Sequence, residues 1–342
     1  MEIINPLNDS SWDDLLESHP AGSFFHTSHW ARVLQGSYRY TPKYFTILAN
    51  GNLQALVPVM DIDSVLTGRR GVSLPFSDYS DPFAADEAQY RGLVEQVLRY
   101  GKGVKWRSLE IRGGVCPWPE NKTSSRFFIH HLNLDRTEDE LFSRMRTNMQ
   151  RNVKKASKMG VKVTFLNSME AVDAFYRLNC ITRKEHGIPP QPREFFRKIH
   201  EHVLSRGLGT VALASYRDRF VAGCVYFHFG KKAIYKYGAS DEEGKMCRAN
   251  NLVMWEAIRT YRQKGYSELC FGRTESVNSG LRDYKLGYGT DESILPYYKY
   301  EILRHRVVER NHGGPGFATK TWQRVPIPLS RAVGNILYRH IG

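Results

Sequence analysis

Two short polar segments interrupt otherwise well-patterned elements and carry side chains able to move protons or stabilise charge. In SLPFSDYSDPF, Asp78 and Asp81 flank Tyr79. In FGRTESVNSGLRDYKLGYG, Arg273, Glu275, Asn278, Arg282, Tyr284 and Lys285 follow an apolar run directly. A carboxylate can receive a proton from an attacking group, and a lysine or arginine can stabilise negative charge as it develops on an oxygen. Loops at strand ends are frequent ligand sites in α/β domains. Turn formation by Asp and Gly produces much of the same composition, so these segments do not by themselves name a reaction.

The familiar local signatures are missing. The chain has no GxSxG elbow, no HExxH, no P-loop and no GxGxxG after a strand. His26 and His29 in FFHTSHW, and His130 and His131 before LNLD, have no companions at metal-ligand spacing; they read as core or surface histidines, and no metal site is expected. Cys116, Cys180, Cys224, Cys247 and Cys270 form no close pair and read as reduced thiols. Cys224 and Cys270 lie inside apolar runs, where a free cysteine behaves as a small buried hydrophobe.

The elements that must position these residues come in a repeated order. YFTILA (44–49) and LQALVPVM (53–60) read as a hairpin turning at Asn50, Gly51 and Asn52. A helix at about 86–101 and the strand VKWRSLEI, ending at Gly113 and Gly114, follow. The second half repeats this grammar with TVALASY, FVAGCVYFHF, KAIYKYG, a helix at about 247–264 and the strand YSELCFG. The segment 51–60 aligns with 218–227, and a slightly smaller shift aligns the later helices. An internal duplication of a mixed α/β domain is the economical reading.

Between the halves, 137–159 reads as one long helix, acidic in its first turn and basic in its last, with Leu141, Met145, Met149, Val153 and Ala156 as its buried stripe. Arg144, Arg151, Lys155 and Lys158 fall on another stripe about 60° wide. Residues 142–162 carry seven Lys or Arg and no Asp or Glu, which favours an anionic partner such as phosphate over a mixed solvated face. The stretch 299–342 is also basic, with Arg306, Arg310, Arg324, Arg331 and Arg339 around a Gly/Pro-rich NHGGPGF, and Leu329, Val333, Ile336 and Leu337 suggesting a final helix.

Composition agrees with a folded chain of two domains. Forty-nine Lys and Arg against thirty-five Asp and Glu give a net charge of +14 over 342 residues, and 41% of residues are hydrophobic. No run approaches about 18 apolar residues, and MEIINPLNDSSW is acidic and polar, so a cytoplasmic protein is expected. Surplus positive charge points to nucleic acid, nucleotide phosphates or an anionic membrane surface as partners.

FFHTSHW, the basic helix ending RNVKKASKMGVKV, the run YKYGAS and above all GLRDYKLGYGT followed by LPYY together resemble the FemAB/FemX peptidoglycan-bridge aminoacyltransferases, within the GNAT acyltransferase superfamily. The resemblance covers about residues 20–300 and implies a mixed α/β fold of tandem GNAT-like domains, with mixed sheets flanked by helices. Residues 1–135 form the expected first domain, 136–300 the second, beginning with the basic helix, and 301–342 a basic extension. It implies transfer of an acyl or aminoacyl group from an activated donor to an amine of a bulky cell-wall or surface-polysaccharide precursor. The donor would be aminoacyl-tRNA or acyl-CoA, and no tightly bound cofactor is implied.

By that similarity Lys285 stabilises the oxyanion and Tyr237 lines the acceptor cleft unless it is a core tyrosine; Asp81 is the weaker candidate to receive the amine proton, with an already deprotonated acceptor amine or a substrate group as the alternatives. Asp78, Tyr79, Arg273 and Tyr284 would contact substrate, and Arg144, Arg151, Lys155 and Lys158 would meet phosphates. Two departures stand out. The coiled-coil insertion of some tRNA-dependent members is missing, and so is the Gln/Arg-x-x-Gly-x-Gly/Ala run of simple acyl-CoA enzymes. An acyl-CoA-dependent N-acyltransferase of a sugar amine, and a non-catalytic RNA- or membrane-surface-binding protein, are the competing readings.

Overall fold

The computed structural model describes residues 1–118, 122–309 and 317–342. The first part of the chain runs β1 (Glu2–Ile4), α1 (Trp12–Glu17), α2 (Ser28–Tyr38), β2 (Thr41–Ala49), β3 (Asn52–Ile62), β4 (Arg70–Val72), α3 (Glu87–Gly103), β5 (Ser108–Arg112) and β6 (Ser125–Asn133). Next come α4 (Glu138–Arg144), α5 (Thr147–Lys158), β7 (Lys162–Leu166), α6 (Met169–Glu185), α7 (Arg193–His202), β8 (Gly209–Tyr216), β9 (Arg219–Phe229) and β10 (Lys232–Ser240). The last part is α8 (Glu242–Met246), α9 (Ala249–Gln263), β11 (Glu268–Glu275), α10 (Ser279–Leu286), β12 (Asp291–Glu301), β13 (Arg306–Val307), α11 (Phe317–Arg324) and α12 (Ile327–Ile341).

The duplication is visible in the hydrogen-bond register itself. Hairpin β2–β3 shifts register between Ile47 and Leu48, pairing Ile47 with Ala55, Leu48 with Leu53 and Ala49 with Asn52. Hairpin β8–β9 pairs Ala214 with Ala222, Ser215 with Phe220 and Tyr216 with Arg219. The single offset that carries Gly51 onto Asp218 carries every one of these pairs onto its counterpart, so the same bulge sits at the same place in both copies. Both hairpins close on two residues of positive φ, Asn50–Gly51 and Arg217–Asp218, the backbone that matches strand twist.

Each copy then lays a third strand antiparallel to its hairpin and, after a helix, returns a fourth strand parallel to the third. Those parallel pairs are β4–β5, matched at Gly71↔Leu109 and Val72↔Glu110, and β10–β11, matched from Lys232↔Glu268 to Ile234↔Cys270. The crossover helices α3 and α9 begin at Glu87 and Ala249, an offset slightly smaller than that of the hairpins. The strands of each copy thus mix parallel and antiparallel pairing and are flanked by helices, the mixed α/β architecture expected of tandem GNAT-like copies.

One local expectation is corrected, and the expected final helix is present as α12. The helix expected over 137–159 breaks: Met145 adopts extended backbone, and the N–H of Arg146 donates to the Gly287 carbonyl at 2.9 Å, which holds the break open from a distant segment. Leu141, Met145, Met149, Val153 and Ala156 are nonetheless all buried. In α12, Leu329 and Ile336 are exposed, and the buried line is Ser330, Gly334 and Tyr338. A small residue is needed there because a side chain at Gly334 would run into the Pro190 carbonyl. Arg306, Arg324, Arg331 and Arg339 are exposed; Arg310 and most of NHGGPGF lie outside the described residues.

Contacts divide the chain into two units. The first comprises Met1–Phe127, Ile294–Gly313 and Leu337–Gly342, the second Phe128–Ser293 and Gly314–Ile336. The first has a core that includes Phe45, Val57, Val97, Trp106, Leu109 and Tyr298, and the second one that includes Met149, Val221, Tyr226, Val253, Ile258 and Phe271. Cys180, Cys224, Cys247 and Cys270 are buried thiols. Among the described residues no helix is long and apolar enough to cross a membrane, and no cluster of His, Cys, Asp or Glu could hold a metal ion.

Gly71 of β4 tests how tightly the first core is set. A methyl group there would enter the ring of Trp106, whose indole N–H is tied to Asp61 at 2.8 Å, while Asp61 also takes both nitrogens of an Arg69 fork. Gly71→Ala is therefore expected to lower unfolding stability by about 1–3 kcal/mol in denaturant titrations. Stability equal to wild type would show that the ring can yield.

Candidate active site

The sequence KAIYKYGAS makes a strand that cannot stay regular. Against β9, Tyr235 pairs with Tyr226 and Tyr237 with Val225, so Lys236 is an extra residue in a bulge. Without it Tyr235 and Tyr237 would share a face. With it, Tyr235 packs towards Tyr226 and Phe271, whereas Tyr237 turns to the other side, 5.5 Å from the ring of Phe196 and 6.4 Å from that of Phe195 on α7. The Lys236 ammonium lies 5.1 Å from the centre of the Tyr237 ring.

The bulge also marks where β10 leaves β11. Their ladder ends at Ile234↔Cys270, while the ladder of β10 with β9 continues to Ser240↔Ala222. Beyond that point the edge of β10 towards β11 is unladdered. On β11 the next residue but one is Gly272, at φ +69°, a conformation that suits glycine.

Lys285 is placed at this parting of strands. It lies near the end of α10, a helix capped by the Asn278 side chain, and is only 2% exposed. Its ammonium donates to the carbonyls of Gly272 and Arg273, at 2.8 and 2.9 Å. A buried cation held by two backbone oxygens is fixed in position without a long flexible search. Arg273 thus contributes its main chain here. Tyr284 donates its hydroxyl to the Asn250 carbonyl at 3.2 Å, and burial pushes that hydroxyl well above the ordinary tyrosine range. Lys285, Arg273 and Tyr284 are accordingly brought together in the second unit, and Tyr237 belongs to that unit on the opposite face of β10.

Three residues beside Lys285 were not singled out by sequence reasoning as a group. His130 of β6 is fully buried and its Nε2 is 3.0 Å from Oε2 of Glu292 on β12. Arg282, one turn before Lys285 on α10, grips Glu292 by donating from Nε and Nη2 at 2.8 and 2.6 Å and lies 4.0 Å over the Phe128 ring. The Arg282 fork holds the Glu292 carboxyl below its usual range. Burial, with the Lys285 charge, pulls the His130 imidazole down. His130 and Glu292 are too far apart in sequence for spacing to reveal them.

The basic residues divide between two helices because of the break at Met145. Arg144 ends α4; Arg151, Lys155 and Lys158 lie on α5. All four are exposed, and among the described residues none makes an ion pair. Helix α5 packs on α9. The N-terminus of α9 has Arg248 in left-handed backbone, no side-chain cap and no acidic residue in its first turn. Its counterpart α3 is capped by Asp86, which accepts from the Gln89 N–H at 2.7 Å, and begins with Glu87.

In the first unit the loop after β4 folds back into the equivalent parting of strands. Ser73 donates its N–H to the Glu110 carbonyl and Ser80 to that of Arg112, so both ends of the loop bond to β5, and the hydroxyls of Ser73 and Ser80 meet across it. Leu74 and Phe76 take positive φ along this path, at 43° and 62°, a strained conformation for both. Asp78 is buried and its carbonyl accepts from the Tyr297 hydroxyl; Tyr79 packs edge-on against Phe25 at 5.5 Å. Asp81 Oδ1 accepts the Gly114 N–H at 2.6 Å, and a side chain at Gly113, φ +94°, would collide with that carboxylate. Asp78, Tyr79 and Asp81 therefore belong to one ordered loop.

Residues 143–286 match the family model described as an acetyltransferase (GNAT) domain. No curated protein matches the sequence. Among solved structures, that of FemX superposes with a TM-score of 0.69 at 16% identity, covering 86% of this chain and 96% of that one. L-PGS from Bacillus licheniformis gives 0.54 at 12% identity, with 98% and 99% covered. A tandem GNAT protein from the clavulanic acid biosynthesis pathway gives 0.52 at 11% identity, with 88% and 97% covered. With the doubled hairpin register and the paired crossover helices, these likenesses show a FemX-like fold, and residues 143–286 are the part that matches the GNAT domain model.

Proposed function

We propose that this chain is an acyltransferase that moves an activated aminoacyl or acyl group onto an amine of a bulky cell-wall or surface-polysaccharide precursor, with its reaction centre at Lys285. The carrying observation is the buried ammonium, anchored by the Gly272 and Arg273 carbonyls where β10 and β11 part. In this reading an extended donor arm lies along β10 beyond Ile234, where its ladder with β11 has ended. The amine then attacks the donor carbonyl, and charge grows on its oxygen. A fixed cation beside that oxygen binds the transition state more strongly than the ground state, which is what raises the rate.

The exposed, ion-pair-free Arg144, Arg151, Lys155 and Lys158 support a polyanionic donor, and favour aminoacyl-tRNA over acyl-CoA. The uncapped α9 N-terminus supports phosphate in either case. Asp81, tied to the Gly113–Gly114 turn, serves in this reading by shaping its own loop with Asp78 and Tyr79, and Tyr237 is the acceptor-side aromatic of the second unit.

Lys285→Ala should slow single-turnover transfer by about 100- to 1,000-fold, while far-UV CD and thermal midpoint show a folded protein. The donors to use are alanyl-tRNA and acetyl-CoA, with glucosamine and a lysine-containing pentapeptide as acceptors. An unchanged rate in the folded variant would remove Lys285 from the chemistry. Arg151→Glu with Lys155→Glu should weaken tRNA retention and flatten its salt dependence. Retention that ignores salt, or labelled CoA held while charged tRNA is not, would assign the donor to acyl-CoA. Salt-dependent RNA binding without any transfer would leave a binding protein.

A further inference from the structure

The trio of Arg282, Glu292 and the buried His130 fixes a protonation pattern. Glu292 is clamped by Nε and Nη2 of the Arg282 guanidinium and held as a carboxylate, which can only accept hydrogen bonds. The 3.0 Å contact from His130 Nε2 must therefore be a donation from ring to carboxylate. A neutral imidazole that carries its hydrogen on Nε2 has a bare lone pair on Nδ1. That Nδ1 is buried, and among the described residues it has no hydrogen-bond partner. A buried acceptor without a partner costs about 1–3 kcal/mol, a reason to look for what it serves.

We propose that His130 is the proton acceptor of the transfer reaction, oriented by Glu292 and Arg282. This rests on the acyltransfer reading above. When the amine nitrogen bonds to the donor carbonyl carbon, the addition product carries one proton too many on nitrogen. His130 Nδ1 takes that proton, directly or through one water, and becomes imidazolium. As the intermediate collapses, the bond from carbon to the donor's leaving oxygen or sulfur breaks with its electron pair, and the imidazolium returns the proton to that atom. Amide and free donor leave, and His130 is neutral again.

The charged groups facing the ring are Glu292 from β12 and Arg282 and Lys285 from α10. Burial and the two cations disfavour the imidazolium, and Glu292 opposes them; the balance lies below the ordinary 6.5. The base form therefore persists at neutral pH, and activity is lost only as pH falls through this lowered value. Asp81, the carboxylate that sequence reading offers for the same duty, commits one oxygen to the Gly114 N–H. Glu292 in this scheme is a positioning residue, because it acts through the imidazole.

The test uses the whole chain. Single-turnover transfer from alanyl-tRNA or acetyl-CoA to glucosamine or the pentapeptide is measured from pH 5 to 8 for wild type, His130→Gln and Glu292→Gln. Gln keeps a donor near Nε2 but has no titrating nitrogen, so His130→Gln should lose about 100-fold or more in the chemical step and lose the acid limb, with donor binding unchanged. Glu292→Gln should keep an acid limb at a shifted midpoint. A His130→Gln enzyme with wild-type rate and acid limb overturns the proposal while leaving acyl transfer standing, provided wild type is active and Lys285→Ala is slow. No transfer by wild type with any of these probes overturns both. Nitrogen-15 NMR of the ring reads the same claim without catalysis: an Nε2–H tautomer with a midpoint below 6.5 is expected, and an Nδ1–H tautomer or a higher midpoint overturns it even if His130→Gln folds poorly.

Discussion

When two parallel strands separate, each leaves a row of backbone groups that something else must satisfy. In the second unit that separation is imposed by a single extra residue, Lys236, after which β10 stays with β9 and abandons β11. The other features of the region answer to it. Gly272 turns β11 through left-handed backbone, the carbonyls of Gly272 and Arg273 find the Lys285 ammonium, and α10 must stand where its last turn can deliver that lysine. The same extra residue decides which way each tyrosine faces, Tyr235 towards Tyr226 and Tyr237 towards Phe196. One local irregularity thus sets main-chain availability, the position of a charge and the lining of both faces.

The first copy of the scaffold meets the same constraint differently. There the chain itself re-enters the gap, through Ser73 and Ser80, at the cost of two left-handed non-glycine residues. The crossover helix of that copy is sealed by Asp86 and opens with Glu87, whereas the other copy leaves its helix end uncapped and beside Arg248. Sheet registers that superpose residue by residue therefore carry opposite electrostatics at corresponding helix ends. The asymmetry is chemical rather than architectural.

What the sequence made legible was local or periodic. The hairpins, α3 and α9 follow from alternation and helical spacing, and the offset between LQALVPVM and FVAGCVYF is the register found in the sheets. The segment holding Lys285 was marked by its place after a strand, and Lys285 itself by the resemblance of GLRDYKLGYGT to the FemAB/FemX pattern. Hidden features were those decided by distant partners. The break at Met145 depends on the Gly287 carbonyl, the buried line of α12 on the Pro190 carbonyl, and His130 on Glu292, far along the chain. The basic stripe was visible as composition, but its division between α4 and α5 was not, because nothing in TNMQRNVKK forbids a continuous helix. Asp81 was recognisable as a carboxylate beside a strand end, and its bond to the Gly114 N–H was not.

The contact units do not follow the repeats. Each repeat, hairpin through parallel strand, is one uninterrupted piece of chain, yet the first unit is assembled from three pieces and the second from two, with boundaries inside β6, β12 and α12. A fragment ending near residue 127 therefore lacks Ile294–Gly313 and Leu337–Gly342 of the first unit, so dividing the chain at one point yields neither unit as a clean piece.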